Sequence, residues 1–591
     1  MRTQPLRVLG LHDAHDSGVT LLEDGRFVYA ASEERFSRKK FHWGFPNESL
    51  RNLFETTGVE PASIDAVAIS GQSKFEVGET MALSFDAQKI NMWKRHGETI
   101  ARTLGPLTDS PLFARAVKGV GMLQRPRAAV RATLRSYGIT APVRFYDHHA
   151  CHAASAYFTA GTDPVLVLTA DYSGDGVSGT VSVGRDGRLT RIAHASVVHS
   201  SGRFWDVITH LCGFKPTRHA GKITGLAAYK PSPEAYARLR MLYGGNASAL
   251  RFENKERRVW LGEAKRIRDV LPGATREELA YAAQKVLEEA YIDVLRAAIQ
   301  RTGIRDIALA GGTFANVRLN QLLVELPEVN SIHIFPHMGD GGLCTGAAFF
   351  ATAERTPLHP FLLEHMYYGP QYDESAIRAA AQKHGLALET LDNPAERIAC
   401  ELAAKRVIGV YQGRMEYGPR ALGNRSILAE PADPTMMDWL NKRLARTEFM
   451  PFAPMILEDA APRYFKNFSK FAYATKFMTI CCECTEEAKQ KAPGIVHKDG
   501  TARPQSVSER RQPLIADALR RYNELTGLPL CVNTSFNKHE EPIVCTPEDA
   551  VKEFLRGGVD TLIIGGFAAR APVRESSRAT HGVAESVQAA R

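Results

Sequence analysis

No stretch of about 18 consecutive apolar residues occurs in this chain, so no segment reads as a membrane-spanning helix. The first residues, MRTQPLRVLG, pass straight into a strand pattern and lack the charged-then-apolar profile of a secretory leader. Cysteine is sparse: nine in 591 residues, odd in number and irregularly spaced, which excludes a disulfide framework and fits a reducing compartment. Cys481, Cys482 and Cys484 cluster in FMTICCECT, but the run is strand-like and no second pair stands at zinc-finger spacing. Together these absences predict a cytoplasmic protein with no membrane attachment.

What is present is ordinary for a soluble globular protein: 44% hydrophobic and 24% charged residues. A chain of 591 residues is too long for one core, so two large domains are expected. The net charge of +9 is spread along the sequence, with a local excess between Lys94 and Arg135. A solvated helical face accounts for such residues, and nucleic acid is not the expected partner.

Near the start, RVLGLHDAHDSGVTLLEDGRFVYAAS predicts three short strands, with an Asp24-Gly25 hairpin turn between residues 19–22 and 26–31. The same grammar returns in PVLVLTADYSGDGVSGTVSVGRDGRL: a strand at 165–169, a polar loop at 171–176, a strand at 179–183 and an Asp186-Gly187 turn. Two copies of one pattern predict a duplicated α/β domain. Further on, the strand predicted at 307–310 ends in Gly311-Gly312 and opens a helix, a place for an adenosine or phosphate. A Gly-rich turn with Asp340 follows. Pro357, Pro360, Gly369 and Pro370 punctuate a linker at 356–372, which divides a domain at 1–355 from one at 373–572. The polar tail 573–591 is expected to be disordered.

In YDHHACHAASAYF, His148 and His152 stand four apart, roughly 40° around a helix, and can grip one cation. Buried structural imidazoles are the competing reading, and spacing alone leaves both open. His149 points elsewhere and is not expected to be a ligand, while Asp147 suits an N-cap. Asp171 and Asp340 are the carboxylates the fold can bring to the same cleft. Such mixed N/O ligation does not choose between Fe(II), Mn(II) and Zn(II). In the C-terminal half, GRMEYGPRALGNRS sets Arg414, Arg420 and Arg425 around a Gly-Pro turn, and Arg503 follows in RPQSV. Guanidinium groups so placed suit phosphate. VNTSFN adds Ser535 and Asn537 at a strand end.

The ordered set HDSGVTLLEDG, EERFSRKK, DHHACHAASAYF, DYSGDG, GKITGLAAYK, GGTFANVRLN, GDGGLCTGAA, QGRMEYGPRALGNRSILA, PFAP, RPQSV and TGLPLCVNTSFNKHEEPIVCTPEDA resembles the NodU/CmcH family of O-carbamoyltransferases across the chain. The resemblance implies an N-terminal domain of the actin, sugar-kinase and Hsp70 type (ASKHA), in the branch that holds the tRNA threonylcarbamoyl-transfer protein. It implies a C-terminal YrdC-like domain that makes carbamoyl adenylate from carbamoyl phosphate and ATP, with Mg(II). The carbamoyl group then passes to a hydroxyl-bearing small molecule beside a metal, Fe(II) favoured. By motif, His148, His152, Asp171 and Asp340 become the metal ligands. His15 becomes the acceptor-side residue, with His12 as the alternative. Lys222, Gly311, Gly312 and Asn316 become adenylate contacts, and Arg414, Arg420, Arg425, Arg446, Arg503, Ser535 and Asn537 nucleotide and carbamoyl phosphate contacts.

One departure stands out. Where the family carries KxRE and RPFAP, this chain reads LARTEFMPFAP, with Leu444 at the lysine and Met450 at the arginine, so Lys442 or Arg443 would have to compensate. A tRNA-modifying enzyme and a nucleotide-binding scaffold are the alternative readings. Acceptor contacts are expected between Gln72 and Gly138, from residues such as Phe75, Phe85, Trp93 and Arg95, and the oligomeric state, a homodimer included, is open.

Overall fold

The computed structural model describes residues 4–72, 102–103, 105–109, 127–444, 449 and 451–571. Phe75, Phe85, Trp93, Arg95, Arg446, Met450 and the tail 573–591 lie outside the described residues.

The opening sequence builds an antiparallel meander of β1 (Arg7–His12), β2 (Gly18–Glu23) and β3 (Arg26–Ser32). Asp24 and Gly25 both take positive φ, 47° and 75°, the geometry a tight hairpin turn requires. β4 (Ala66–Ser70) and β5 (Val143–Tyr146) join in parallel beyond β1, giving the order β3-β2-β1-β4-β5. A second sheet repeats the plan: β6 (Val165–Gly174), β7 (Val177–Arg185) and β8 (Arg188–Ser196) form the meander, and β9 (Asp306–Ala310) and β10 (Ser331–Ile334) add in parallel beyond β6. Strand order and sense are the same in both.

The polar loop expected at 171–176 is mostly strand. β6 continues to Gly174, with a break in its pairing to β7 between Ala170 and Gly174, and only Asp175-Gly176 turns. The extra residues are absorbed as an irregularity that re-aims side chains at the strand end.

Between the two sheets lie α1 (His148–Phe158), packed on the second sheet, and α2 (Leu343–Ala353), packed on the first, and the two helices pack on one another. Their sequences, HHACHAASAYF and LCTGAAFFATA, are rich in small residues, which lets the backbones approach closely. A Cβ on Gly346 would stand 1.8 Å from Cys151 O, so the crossing depends on glycine there. This sheet–helix–helix–sheet stack fixes the helix that carries the histidines from both sides.

The C-terminal half is an eight-stranded sheet. Its strands are β11 (Glu389–Thr390), β12 (Ile408–Tyr411), β13 (Arg425–Ala429), β14 (Ala453–Leu457), β15 (Gln505–Val507), β16 (Leu530–Ser535), β17 (Thr561–Ile564) and β18 (Phe567–Arg570). They run in the order β11-β18-β17-β12-β13-β16-β14-β15. Helices Pro394–Ala403 and Pro513–Thr526 pack together over one apolar face. Segment 356–372 is no free tether: the N–H groups of Phe361 and Leu363 donate to Phe158 O and Thr159 O, and Leu363 and Met366 are buried. Among the described residues no helix is long and apolar enough to cross a membrane.

Candidate functional site

His148, His152, Asp171 and Asp340 meet between the two sheets, with one ligand atom from each lying within 4.8 Å of all the others. Helical spacing aims the two imidazoles the same way, the irregular end of β6 brings in Asp171, and the glycine turn before α2 brings in Asp340. His152 Nε2 stands 3.1 Å from Asp171 Oδ2 and 3.5 Å from Asp340 Oδ1; His148 Nε2 is 3.5 Å from both carboxylates. His148 Nε2 and Asp340 Oδ1 are buried and lack a hydrogen-bond partner. The electrostatics are divided. Burial and the charge of Asp171 push the Asp340 carboxyl well up, while for Asp171 the adjoining imidazoles of His148 and His152 outweigh burial and hold it well down. Two carboxylates this close cannot both ionise without a cation between them.

Two neighbouring imidazoles are held at both ring nitrogens. His149 is fully buried, with Nδ1 on Thr169 Oγ1 (2.9 Å) and Nε2 on Val177 O (3.1 Å). His12 is likewise engaged at both nitrogens, with Ser70 Oγ at 2.7 Å and His15 O at 2.8 Å. That leaves His15, half-buried in the β1–β2 loop, with its ring stacked 5.4 Å from Phe41 and edge-on to Trp43. Two backbone donors seat α1: Ala150 N–H on Asp147 Oδ1, the N-cap, and His148 N–H on Asp175 Oδ2, both at 2.9 Å.

Gly312 abuts Asp171, since a Cβ there would lie 3.0 Å from its Oδ1. The helix expected directly after the double glycine starts later: a 3-10 turn, Gly312–Ala315, intervenes, and Asn316 caps helix Val317–Glu325. Asn316, an expected adenylate contact, has its Oδ1 accepting from Leu319 N–H and its amide paired with Gln284. Lys222 is buried in helix Ala220–Leu226.

In the C-terminal domain the expected three-arginine grip is divided. Arg414 turns away from it: its guanidinium donates to the carbonyls of Gly369, Tyr368 and Val28, tying the domain to the connecting segment and to β3. Arg425 is fully buried and lies 3.7 Å over the Tyr411 ring, with Nη1 on Gln412 O and Asn424 O and Nε without a partner. Among the described residues no carboxylate pairs with it. Arg420 and Arg503 are half-buried, Ser535 ends β16, and Asn537 Nδ2 closes the following loop on Lys538 O and Glu541 O. Leu444 is 2% exposed in the apolar core; of the two residues expected to compensate, Arg443 is ion-paired with Asp560 at 2.6 Å and Lys442 is exposed.

Residues 7–349 match the carbamoyltransferase N-terminus and residues 399–570 the carbamoyltransferase C-terminus. The chain belongs to the carbamoyltransferase family. Similar proteins include an uncharacterized protein of Methanocaldococcus jannaschii, 35% identical over 72% of this chain and 73% of that one. Nodulation protein NolNO of Sinorhizobium fredii is 30% identical over 94% of this chain and 78% of its own. Among solved structures, full-length HypF in its phosphate- and nucleotide-bound form is similar at 13% identity and a TM-score of 0.33, covering 60% of this chain and 47% of that one. A ROK family glucokinase from Streptomyces griseus is similar at 12% identity and a TM-score of 0.26 over 58% of this chain and 98% of its own.

Motif reading missed several residues of this carbamoyltransferase. Asp16, next to His15, is half-buried at φ 64°, and desolvation together with the charges of Glu34 and Asp171 pushes its carboxyl up to about 7. Glu416 Oε1 accepts from the N–H groups of Leu422, Asn424 and Arg425, so one carboxylate shapes the whole loop. Tyr417 leaves that loop and donates to Gly341 O at 2.6 Å, beside Asp340. The doubled His-Asp of HDAHDSG was the one available signal for Asp16.

Proposed function

We propose that the enzyme is an ATP-dependent O-carbamoyltransferase with two sites, cytoplasmic in location. In this reading the N-terminal domain is a duplicated ASKHA unit, which the shared strand order of its two sheets supports, and the C-terminal domain is YrdC-like. Carbamoyl phosphate, water and ATP react in the C-terminal domain: water releases phosphate from carbamoyl phosphate, and the carbamate oxygen bonds to the α-phosphorus of ATP as pyrophosphate leaves, giving carbamoyl adenylate. Arg425 supports this step: a buried guanidinium with no carboxylate partner is costly unless an anion joins it, and the phosphates of either substrate are such anions.

The carrying observation is the convergence of His148, His152, Asp171 and Asp340 in one enclosed cluster of a carbamoyltransferase. The residues fit a divalent cation: two imidazoles, two carboxylates in mutual conflict, and orphaned polar atoms at His148 Nε2 and Asp340 Oδ1. A metal ion held by these four, Fe(II) favoured with Mn(II) and Zn(II) as alternatives, would polarise the carbamoyl carbonyl. His15 takes the proton of the acceptor hydroxyl at a ring nitrogen as that oxygen bonds to the carbamoyl carbon. The carbon–oxygen bond to AMP breaks and AMP leaves with the electron pair. The adenylate lies along the backbone of Gly311 and Gly312, which pack against Ala170 and Asp171. The acceptor is a hydroxyl-bearing metabolite.

Purified protein given ATP, carbamoyl phosphate and a divalent metal should release pyrophosphate only when carbamoyl phosphate is present. No release with any of Fe(II), Mn(II), Zn(II) or Mg(II) would sink the proposal and leave a nucleotide-binding scaffold. Release that depends on threonine and bicarbonate instead would favour a threonylcarbamoyl-type chemistry.

A further inference from the structure

A second group of ligand-bearing side chains stands where the two domains meet. His219 precedes helix Ala220–Leu226 in the N-terminal domain, and His539 and Glu540 lie in the loop after β16 in the C-terminal domain. One ligand atom from each falls within 4.8 Å of the other two, and all three residues are half-buried. His219 Nε2 is 2.9 Å from Glu540 Oε1, and the two imidazoles stack with centroids 6.2 Å apart. We propose that His219, His539 and Glu540 form a second site, for a divalent transition-metal ion, that clasps the two domains together.

The donor set decides the class of ion. Two imidazoles and one carboxylate, with open positions for water, suit Zn(II), Co(II) or Ni(II), whereas Mg(II) and Ca(II) seek oxygen alone. The contact between His219 and Glu540 resembles the one in the first cluster, where His152 Nε2 faces Asp171 Oδ2 at 3.1 Å. Glu540 is ready as an anion, because the hydrogen bond from His219 holds its carboxyl below the usual carboxylate range. The backbone presents it at φ 63°, a conformation unfavourable for a residue with a side chain, and Asn537 pins the loop on both sides of it.

Two local groups compete with the ion. Lys215 N–H donates to His219 Nδ1 at 3.3 Å, which sets the ring proton on Nε2 when no metal is bound. Coordination through Nε2 moves that proton to Nδ1 and gives up this long bond. Lys215 Nζ, 3.5 Å from Glu540, is on a side chain 65% exposed and can swing into water. The clasp would join the helix bearing Lys222 to the loop that follows Ser535 and Asn537, so its occupancy bears on how the two domains are held. It does not depend on the reaction proposed above.

The test is cobalt titration of chelator-stripped full-length protein, counting bound metal after gel filtration. Wild type should bind two equivalents, His539→Ala and Glu540→Gln should each lose one, and His152→Ala should lose the other. The rise in unfolding temperature on adding Co(II) should also shrink in His539→Ala. Bound metal unchanged in both His539→Ala and Glu540→Gln overturns the clasp. A single wild-type equivalent that survives His152→Ala and disappears in His539→Ala supports the clasp and sinks the metal reading of the first cluster.

Discussion

Two of the three histidines at the head of α1 face carboxylates and the third does not. The difference is one step of 100° around the helix, roughly, which sends His149 into Thr169 and Val177. That much was legible from the sequence, because helical spacing is a property of the local chain. The fate of the arginines was not. Arg414 and Arg425 are eleven positions apart in one glycine-rich run, yet the first ties down backbone carbonyls across the domain boundary and the second is sealed over Tyr411. Asp16 was missed for the same reason: the charges that push its carboxyl up, Glu34 and Asp171, come from other parts of the fold. Buried imidazoles away from the site also have consequences. His333, in β10, accepts or donates one bond at Nε2 with Thr159, has no partner at Nδ1, and is pushed by burial from 6.5 down to about 3. The fold accepts only its neutral form, so its contribution to stability is complete above pH 6.5 and is lost as pH falls from there toward 3. Between about pH 7 and about pH 5 the loss is on the order of 2 kcal/mol. Urea unfolding of wild type and His333→Gln should therefore show a stability gap that narrows by that amount over the interval; a constant gap contradicts the assignment.

At the scale of elements, the hairpins of both sheets were readable from alternation and Asp-Gly turns, since both signals are local. The end of β6 was not. Its polar residues read as a loop, but β6 runs on to Gly174, its pairing to β7 broken after Ala170 and resumed at Gly174, and that irregularity is what carries Asp171 to the cluster. Gly174 shows how tightly this end is fitted: a Cβ there would fall 2.0 Å from His148 Cγ. Gly174→Ala should displace the His148 ring, lower stability by about 1–3 kcal/mol, and weaken binding at the first metal site. Thermal unfolding with and without added metal checks both effects, and a variant with unchanged metal-induced stabilisation would show that His148 is not a ligand. Segment 356–372 is a comparable case. Proline and glycine marked it as a connection, while its backbone bonds to Phe158 and Thr159 make it a strap over the end of α1.

For the whole molecule, the two domains are stitched by contacts between residues far apart in sequence, which no motif announces. Arg35 donates to Gly418 O, Arg38 to Pro542 O and Ile543 O, and Tyr417 to Gly341 O. The loop that Glu416 shapes around Arg425 is thereby joined, through Tyr417, to the turn that carries Asp340. The account assigns activation to the first of these and transfer to the second, so the two half-reactions must be separable by mutation. The most direct measurement follows labelled carbamoyl phosphate in wild type and His152→Ala, recording pyrophosphate and AMP in a single turnover with ATP. The account predicts that His152→Ala releases pyrophosphate at close to the wild-type rate but accumulates carbamoyl adenylate and forms little AMP. Equal loss of pyrophosphate and AMP in the folded variant would contradict it.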